Sequence, residues 1–273
     1  MKFSLLPCLC LLILSGCATP GGPARLASLP AGAPDAYDVL TALVENDSQI
    51  RNFKGTGTLI LESPEFTATQ VLRQSAIAYE VPDALSIVGR KHGTLVFELT
   101  SKGEEFLVEL PTERDYYYRL EGERFKEVPF SIAPGDIARE MFIPELRGRL
   151  GENRVDLTAW DPATRTAVIE INAGKFPARV VTVEGPPWKL IRSELRNEKG
   201  DLIAVTERGD YREIYGVRFP GKVTAEFPGE QAMMSLAFRN IEINTSLDDG
   251  VFDVKRRAQA VQQYLEQEFG IER

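Results

Sequence analysis

From Phe53 to Ile243 the chain is a succession of short runs in which apolar and polar residues alternate, separated by turn signals every few residues. In 93–100, Leu95, Phe97 and Leu99 share one side against Val96 and Glu98; in 104–110, Phe106, Val108 and Leu110 oppose Glu105, Leu107 and Glu109. A period of two places alternate side chains on opposite faces of a pleated strand, one drier than the other. Further runs of this texture fall at 54–62, 65–73, 84–90, 114–121, 154–160, 165–173, 178–184, 188–197, 201–208, 211–217, 221–227 and 232–243. They are punctuated by Asp161-Pro162, Gly174, Gly185-Pro186-Pro187, Lys199-Gly200 and Pro228-Gly229. Short turns between consecutive strands make antiparallel pairing the default, and helices are too few to supply parallel crossovers.

Three segments carry a helical period instead. Val39, Leu40, Leu43 and Val44 mark a helix over 36–47, with Ile50 and Phe53 after it. Pro134-Gly135-Asp136 opens a second that runs through Ile137, Met141 and Phe142 and is limited by Pro144. Ala258, Val261, Leu265 and Phe269 form one stripe of a third, over 255–269. The expectation is a mainly β (α+β) domain, a large curved antiparallel sheet whose apolar side is covered by a few helices or left open for a ligand.

The N-terminus has its own grammar. One lysine, an apolar run from Leu5 to Leu14 and then small residues make the layout of a secretory signal, and the run is too short to span a bilayer, which needs roughly 20 residues. It ends in Leu14-Ser15-Gly16-Cys17, which resembles the bacterial lipobox. That resemblance implies cleavage after residue 16 and acylation of Cys17 by diacylglycerol and palmitate-type chains. With Ala18 next, it also implies an outer-membrane anchor, with the domain expected on the periplasmic side. Cys8 and Cys10 leave with the signal, so the mature chain has no thiol pair for a disulfide or metal site. Residues 17–35 form the lipidated N-terminus and a Pro/Gly/Ala-rich tether, the main domain is expected over 36–254, and a C-terminal helix over 255–273.

Charge and composition exclude other classes. Forty acids against 32 lysines and arginines give a net charge of −8, which disfavours nucleic acid and broad adhesion to anionic headgroups. The single histidine, His92, leaves little room for Ser-His or Cys-His chemistry. Asp248-Asp249-Gly250 lacks the further oxygen ligands of a calcium loop, and Lys255-Arg256-Arg257 is too short a run for a lipid-binding cluster. No catalytic residue, cofactor or metal is expected.

Several features in order resemble the LolA/LolB lipoprotein carrier and receptor fold. An amphipathic helix precedes the first strand. Pro82-Asp83-Ala84-Leu85 gives a Pro-x-x-apolar strand start, and Gly103 to Pro111 (Gly-Glu-Glu-Phe-Leu-Val-Glu-Leu-Pro) alternates through to a proline. A short helix follows at 134–146, and the late Ile241-Glu242-Ile243-Asn244 leads into Leu247-Asp248-Asp249-Gly250-Val251-Phe252. The resemblance implies an unclosed antiparallel half-barrel over helices, with a hydrophobic cavity for acyl chains of lipids or lipoproteins. Leu59, Leu61, Leu85, Leu95, Phe97, Phe106, Val108 and Leu110 are the candidate lining, and Phe142 and Ile143 a candidate membrane contact. Before Pro82 stands Tyr79-Glu80-Val81, without the arginine that opens and closes the cavity of the periplasmic carrier. The competing expectation is a filled scaffold that takes a periplasmic or outer-membrane protein partner along an open sheet edge.

Overall fold

The structure, a computed structural model, describes residues 29–64, 66, 68–120, 123–125, 137, 140–142, 146, 154–172 and 179–269. Helix α1 spans Ala36–Ser48; strands β1 (Asn52–Glu62), β2 (Gln70–Glu80), β3 (Ala84–Lys91), β4 (Thr94–Lys102), β5 (Glu105–Leu110), β6 (Asp115–Leu120) and β7 (Glu123–Phe125) follow. The second half carries β8 (Arg154–Asp161), β9 (Thr166–Asn172), β10 (Arg179–Glu184), β11 (Lys189–Arg196), β12 (Leu202–Gly209), β13 (Arg212–Ile214), β14 (Val217–Phe219), β15 (Lys222–Phe227) and β16 (Ala232–Ile243). Helix α2 covers Val254–Phe269. No helix among the described residues is long and apolar enough to cross a membrane.

Fourteen of the strands form one antiparallel sheet in the order β7-β6-β5-β4-β3-β2-β1-β16-β15-β12-β11-β10-β9-β8. Two meanders are thus joined at one seam, where β1 pairs with β16 from Phe53↔Ile243 to Glu62↔Met233. The seam approaches closely at two glycines. A Cβ on Gly57 would lie 2.2 Å from the Ala237 carbonyl oxygen, and one on Gly55 2.7 Å from that of Asn240. The register shifts between Thr56 and Gly57; such a bulge bends and twists the pair, curling the sheet into a half-barrel that is not closed.

Most strand expectations hold to within a residue or two. The differences are informative. The strand expected over 65–73 starts later: β2 begins at Gln70 and pairs with β1 as a hairpin, and Phe66 packs against the core from the connection. The run 211–217 is a separate small hairpin, β13–β14, turning at Tyr215 and Gly216, both at positive φ. Edge strand β7 went unpredicted.

Strands β7 and β8 are consecutive in the chain but lie at opposite edges of the sheet, so their connection must cross it. Its described residues show where: Ile137, Glu140 and Met141 are helical, and Ile137, Met141, Phe142 and Leu146 are buried. Phe142 joins a ring cluster with Phe53 (4.9 Å between centroids), Tyr79 (5.9 Å) and Phe238 (6.4 Å). It is a core residue and not a surface contact, because burying its ring against three others outweighs exposing it.

Helix α1 is started by Asp35, whose side chain accepts from the Tyr37 and Asp38 amides. It buries Val39, Leu40 and Leu43 against β9–β11 residues such as Ile169 and Val181. Its last turn is stitched to β14 by Asn46: Nδ2 donates to the Arg218 carbonyl (3.0 Å), and the Arg218 amide donates to Oδ1 (2.9 Å). Asn46 is 8 % exposed. Asn46→Ala strands two main-chain groups in a dry place, so urea unfolding is expected to show a loss of about 1–3 kcal/mol; Asn46→Asp, which restores only an acceptor, recovers less than half.

Helix α2 packs on the opposite, convex face. Val254, Ala258 and Val261 cover Leu107, Tyr116 and Tyr118, whereas Tyr117 points into the main core. The three tyrosines therefore divide by the strand's period of two, and each face has its own cover. Arg257 pairs with Glu98, Lys255 with Glu105 (3.3 Å), and the Gln262 side chain donates to the Tyr118 hydroxyl.

Candidate functional site

The concave face is filled along most of its length, but it leaves one apolar slot at the end of the sheet where the β1–β2, β5–β6 and β15–β16 connections meet. Its lining is drawn from Leu61 of β1, Phe97 and Leu99 of β4, Val108 and Leu110 of β5, Phe227 of β15 and Met234 of β16, with Ile137 and Phe66 from the connections. Glu62, Ser63, Glu230, Ala232 and Met233 stand at the mouth. The free space is about 70 Å³, well below the roughly 300–1,000 Å³ of a settled small-molecule pocket. A chain can enter only if side chains yield. Two of them are methionines, whose unbranched, rotatable side chains adapt most readily.

Of the residues expected to line an acyl-chain cavity, Leu61, Phe97, Val108 and Leu110 border this slot. Leu59, Leu85 and Phe106 are buried in the same cluster but do not reach the slot. Leu95 is half-buried and stands outside the cluster, because the register shift between Gly89 and Arg90 takes the start of β4 off the common face. Cys17 and Ile143 lie outside the described residues. Phe227, Met233 and Met234, which sequence reasoning missed, reach the slot through the β1–β16 seam, a pairing some 180 residues apart in the chain.

Behind the slot, a buried polar cluster holds the crossing segment in place. Arg179 on β10, 1 % exposed, grips Glu140 with both arms: Nη1 donates to Oε2 (2.8 Å) and Nη2 to Oε1 (2.7 Å). Nη1 also donates to the Ser193 hydroxyl (2.9 Å), and Arg208 Nη2 donates to the Glu140 carbonyl (3.0 Å). A forked guanidinium–carboxylate contact of this kind fixes orientation as well as distance. Glu140 lies three residues after Ile137, so the clamp on β10–β12 positions a wall of the slot.

Asp47, at the end of α1, faces the same region. Burial pushes its carboxyl up, against the opposing pull of Arg208, Asn46 and Arg218. Tyr211 donates its hydroxyl to the Leu190 carbonyl at 2.6 Å, and burial raises its pKa from 10.0 to about 12. A raised tyrosine contributes stability that is complete below its unfolded value and lost as pH rises through the folded one. An alkaline titration followed by phenolate absorbance is therefore expected to show a late step near the pH at which stability falls, and Tyr211→Phe to remove both.

Among the described residues no group of histidines, cysteines or carboxylates is arranged to hold a metal ion. The slot is lined almost wholly by apolar surface.

No protein-family model matches the chain, and no curated protein is significantly similar to it in sequence. Solved structures do share its fold. A DUF1329 family protein from Desulfovibrio piger superposes with a TM-score of 0.53 at 13% identity, over 80% of this chain and 95% of that one. A putative outer membrane lipoprotein-sorting protein domain from Vibrio parahaemolyticus gives 0.52 at 11% identity, over 82% and 97%. A LolA superfamily protein from Nitrosomonas europaea gives 0.51 at 15% identity, over 81% and 98%. The fold is LolA/LolB-like: mainly β, unclosed, with the C-terminal helix in addition.

Proposed function

We propose that this protein is a non-enzymatic, membrane-anchored lipoprotein that takes up an acyl chain of a lipid or lipoprotein in the slot between β1, β4, β5, β15 and β16, in the course of delivery to the outer membrane. The observation that carries the reading is the slot itself: an opening walled almost wholly by aliphatic and aromatic side chains, at an end of the sheet where solvent can reach it. Anchoring through Cys17 would keep the domain where its cargo is received.

The mouth narrows the class of guest. Glu62 and Glu230 stand there, and two carboxylates repel a third at short range. A free fatty acid would put its own carboxylate beside them, whereas an ester- or amide-linked chain would not. Each methylene buried contributes about 0.8 kcal/mol, roughly fourfold in Kd.

The competing reading, a scaffold that takes a partner strand along a sheet edge, finds poor templates. Edge strand β7 is three residues long, and β8 carries a register shift between Leu157 and Ala159 with Arg154 and Asp156 paired along it. Short, bulged and charged edges are how sheets discourage strand addition.

The test is native mass spectrometry of residues 18–273, secreted without the anchor and purified gently from cells. An added mass equal to a phospholipid or an acylated peptide is expected, together with affinity for ester-linked acyl probes that climbs with chain length. A clean mass that stays clean when lipid is offered removes the proposal.

A further inference from the structure

The outer side of the same rim carries a different surface. Arg73 and Val71 on β2, and Arg90, Lys91 and His92 at the β3–β4 turn, line an open groove on the convex face with Thr69 and Gln74. Arg239 of β16 joins it, its Nη2 donating to the Arg73 carbonyl at 3.3 Å. Arg73, Arg90, Lys91 and Arg239 are all exposed, and none of the four takes part in an ion pair with a described residue. Elsewhere on the sheet surface many arginines and lysines are matched to acids: Lys54 with Glu242, Arg119 with Glu104, Arg192 with Glu194 and Glu207, Arg196 with Glu194. In a chain of net charge −8, four cations in one groove that pair with no described acid form a local field opposite in sign to the whole.

The groove and the slot are neighbours. The β1–β2, β3–β4 and β15–β16 connections lie at one end of the sheet, as the antiparallel order requires. Thr69, which lines the groove, donates its hydroxyl to Glu62, which stands at the slot mouth, at 3.2 Å. One hairpin separates a cationic outer lip from an apolar opening.

We infer that this lip is a docking surface for an anionic lipid headgroup layer, with the guanidinium groups of Arg73, Arg90 and Arg239 and the Lys91 ammonium set against lipid phosphates. Four basic residues reach the size of cluster that recognises anionic lipid, each contributing on the order of 1 kcal/mol close to the surface. Arginine forks suit phosphate oxygens. Docked this way, the rim faces the bilayer and the slot mouth opens toward the acyl region. That last step rests on the chain-binding reading; the headgroup contact does not.

The experiment is hydrogen–deuterium exchange of the full chain with vesicles of phosphatidylcholine alone, with vesicles that also contain phosphatidylglycerol, and with inorganic phosphate and no vesicles. Amides of the Lys91–Thr94 turn are expected to slow only with phosphatidylglycerol, an effect lost at high salt and in the combined variant Arg73→Gln, Arg90→Gln, Lys91→Gln, Arg239→Gln. All four are surface positions, and the variant's amide pattern without vesicles reports that it is folded. No slowing, equal slowing on neutral vesicles, or slowing by phosphate alone overturns the inference. Uptake of an ester-linked acyl probe, measured in solution on the same two proteins, is expected to be equal. Loss of uptake with the turn still protected would count against the slot and not against the lip.

Discussion

Arg179→Met is expected to lower the free energy of unfolding by about 3–5 kcal/mol, the usual cost of removing one partner of a buried pair. The reason is local and specific. The two guanidinium arms that satisfy the Glu140 carboxylate, at 2.7 and 2.8 Å, both come from Arg179; Arg208 reaches only the main-chain carbonyl of that residue. Methionine fills the volume but leaves an uncompensated carboxylate, and the Ser193 hydroxyl also loses its donor. The double variant Arg179→Met, Glu140→Met removes the charge from both sides and is expected to regain most of the loss. Urea titrations of Arg179→Met, Glu140→Met, the double variant and the parent form a thermodynamic cycle. A single variant within about 1 kcal/mol of the parent, well short of the usual cost of breaking a buried pair, would show that the clamp does not hold the crossing segment. Because Ile137 sits one helical turn from Glu140, acyl-probe uptake measured on the stable double variant tells whether the ionic clamp itself or merely a packed contact is needed to shape the slot.

Ala232→Trp is expected to abolish acyl-chain uptake while leaving the fold intact. Ala232 stands at the mouth on the first residue of β16 and is only partly buried, so an indole can lie across the opening without being forced into the core. It would occupy the path of the guest, and excluding even three methylenes forfeits about 2.4 kcal/mol, near sixtyfold in Kd. Tryptophan favours strands, so the thermal midpoint should move by no more than a few degrees. Unchanged uptake of an acyl probe by the Ala232→Trp protein, with its far-UV spectrum intact, would place the chain elsewhere.

The local grammar of the chain reads well because it depends on near neighbours. The alternation in 104–110 puts Phe106, Val108 and Leu110 on one side of β5, where they are found, and the stripe Val39, Leu40, Leu43 names the buried face of α1. Half of the expected lining, Leu61, Phe97, Val108 and Leu110, does meet in one slot. A strand's period of two fixes which face a residue takes, and a helix's 3.6 which stripe. Neither says what lies opposite. Whether a face is lined by cavity or filled by core was decided by the crossing segment, whose Ile137, Met141 and Phe142 are buried in the core cluster, and by the seam that brings Phe227 and Met234 toward β1. Leu107 alternates onto the wetter face of its strand and is instead covered by α2, together with Tyr116 and Tyr118. The Arg179–Glu140 clamp had no local signal at all: an arginine opening one strand and a glutamate in a helical turn are ordinary surface residues until the chain's path buries them together. Which faces exist was set by covalent geometry and by side-chain polarity along the chain; what covers each face was set by contacts between residues far apart in sequence, where only the folded path can say which hydrophobic surface finds which partner.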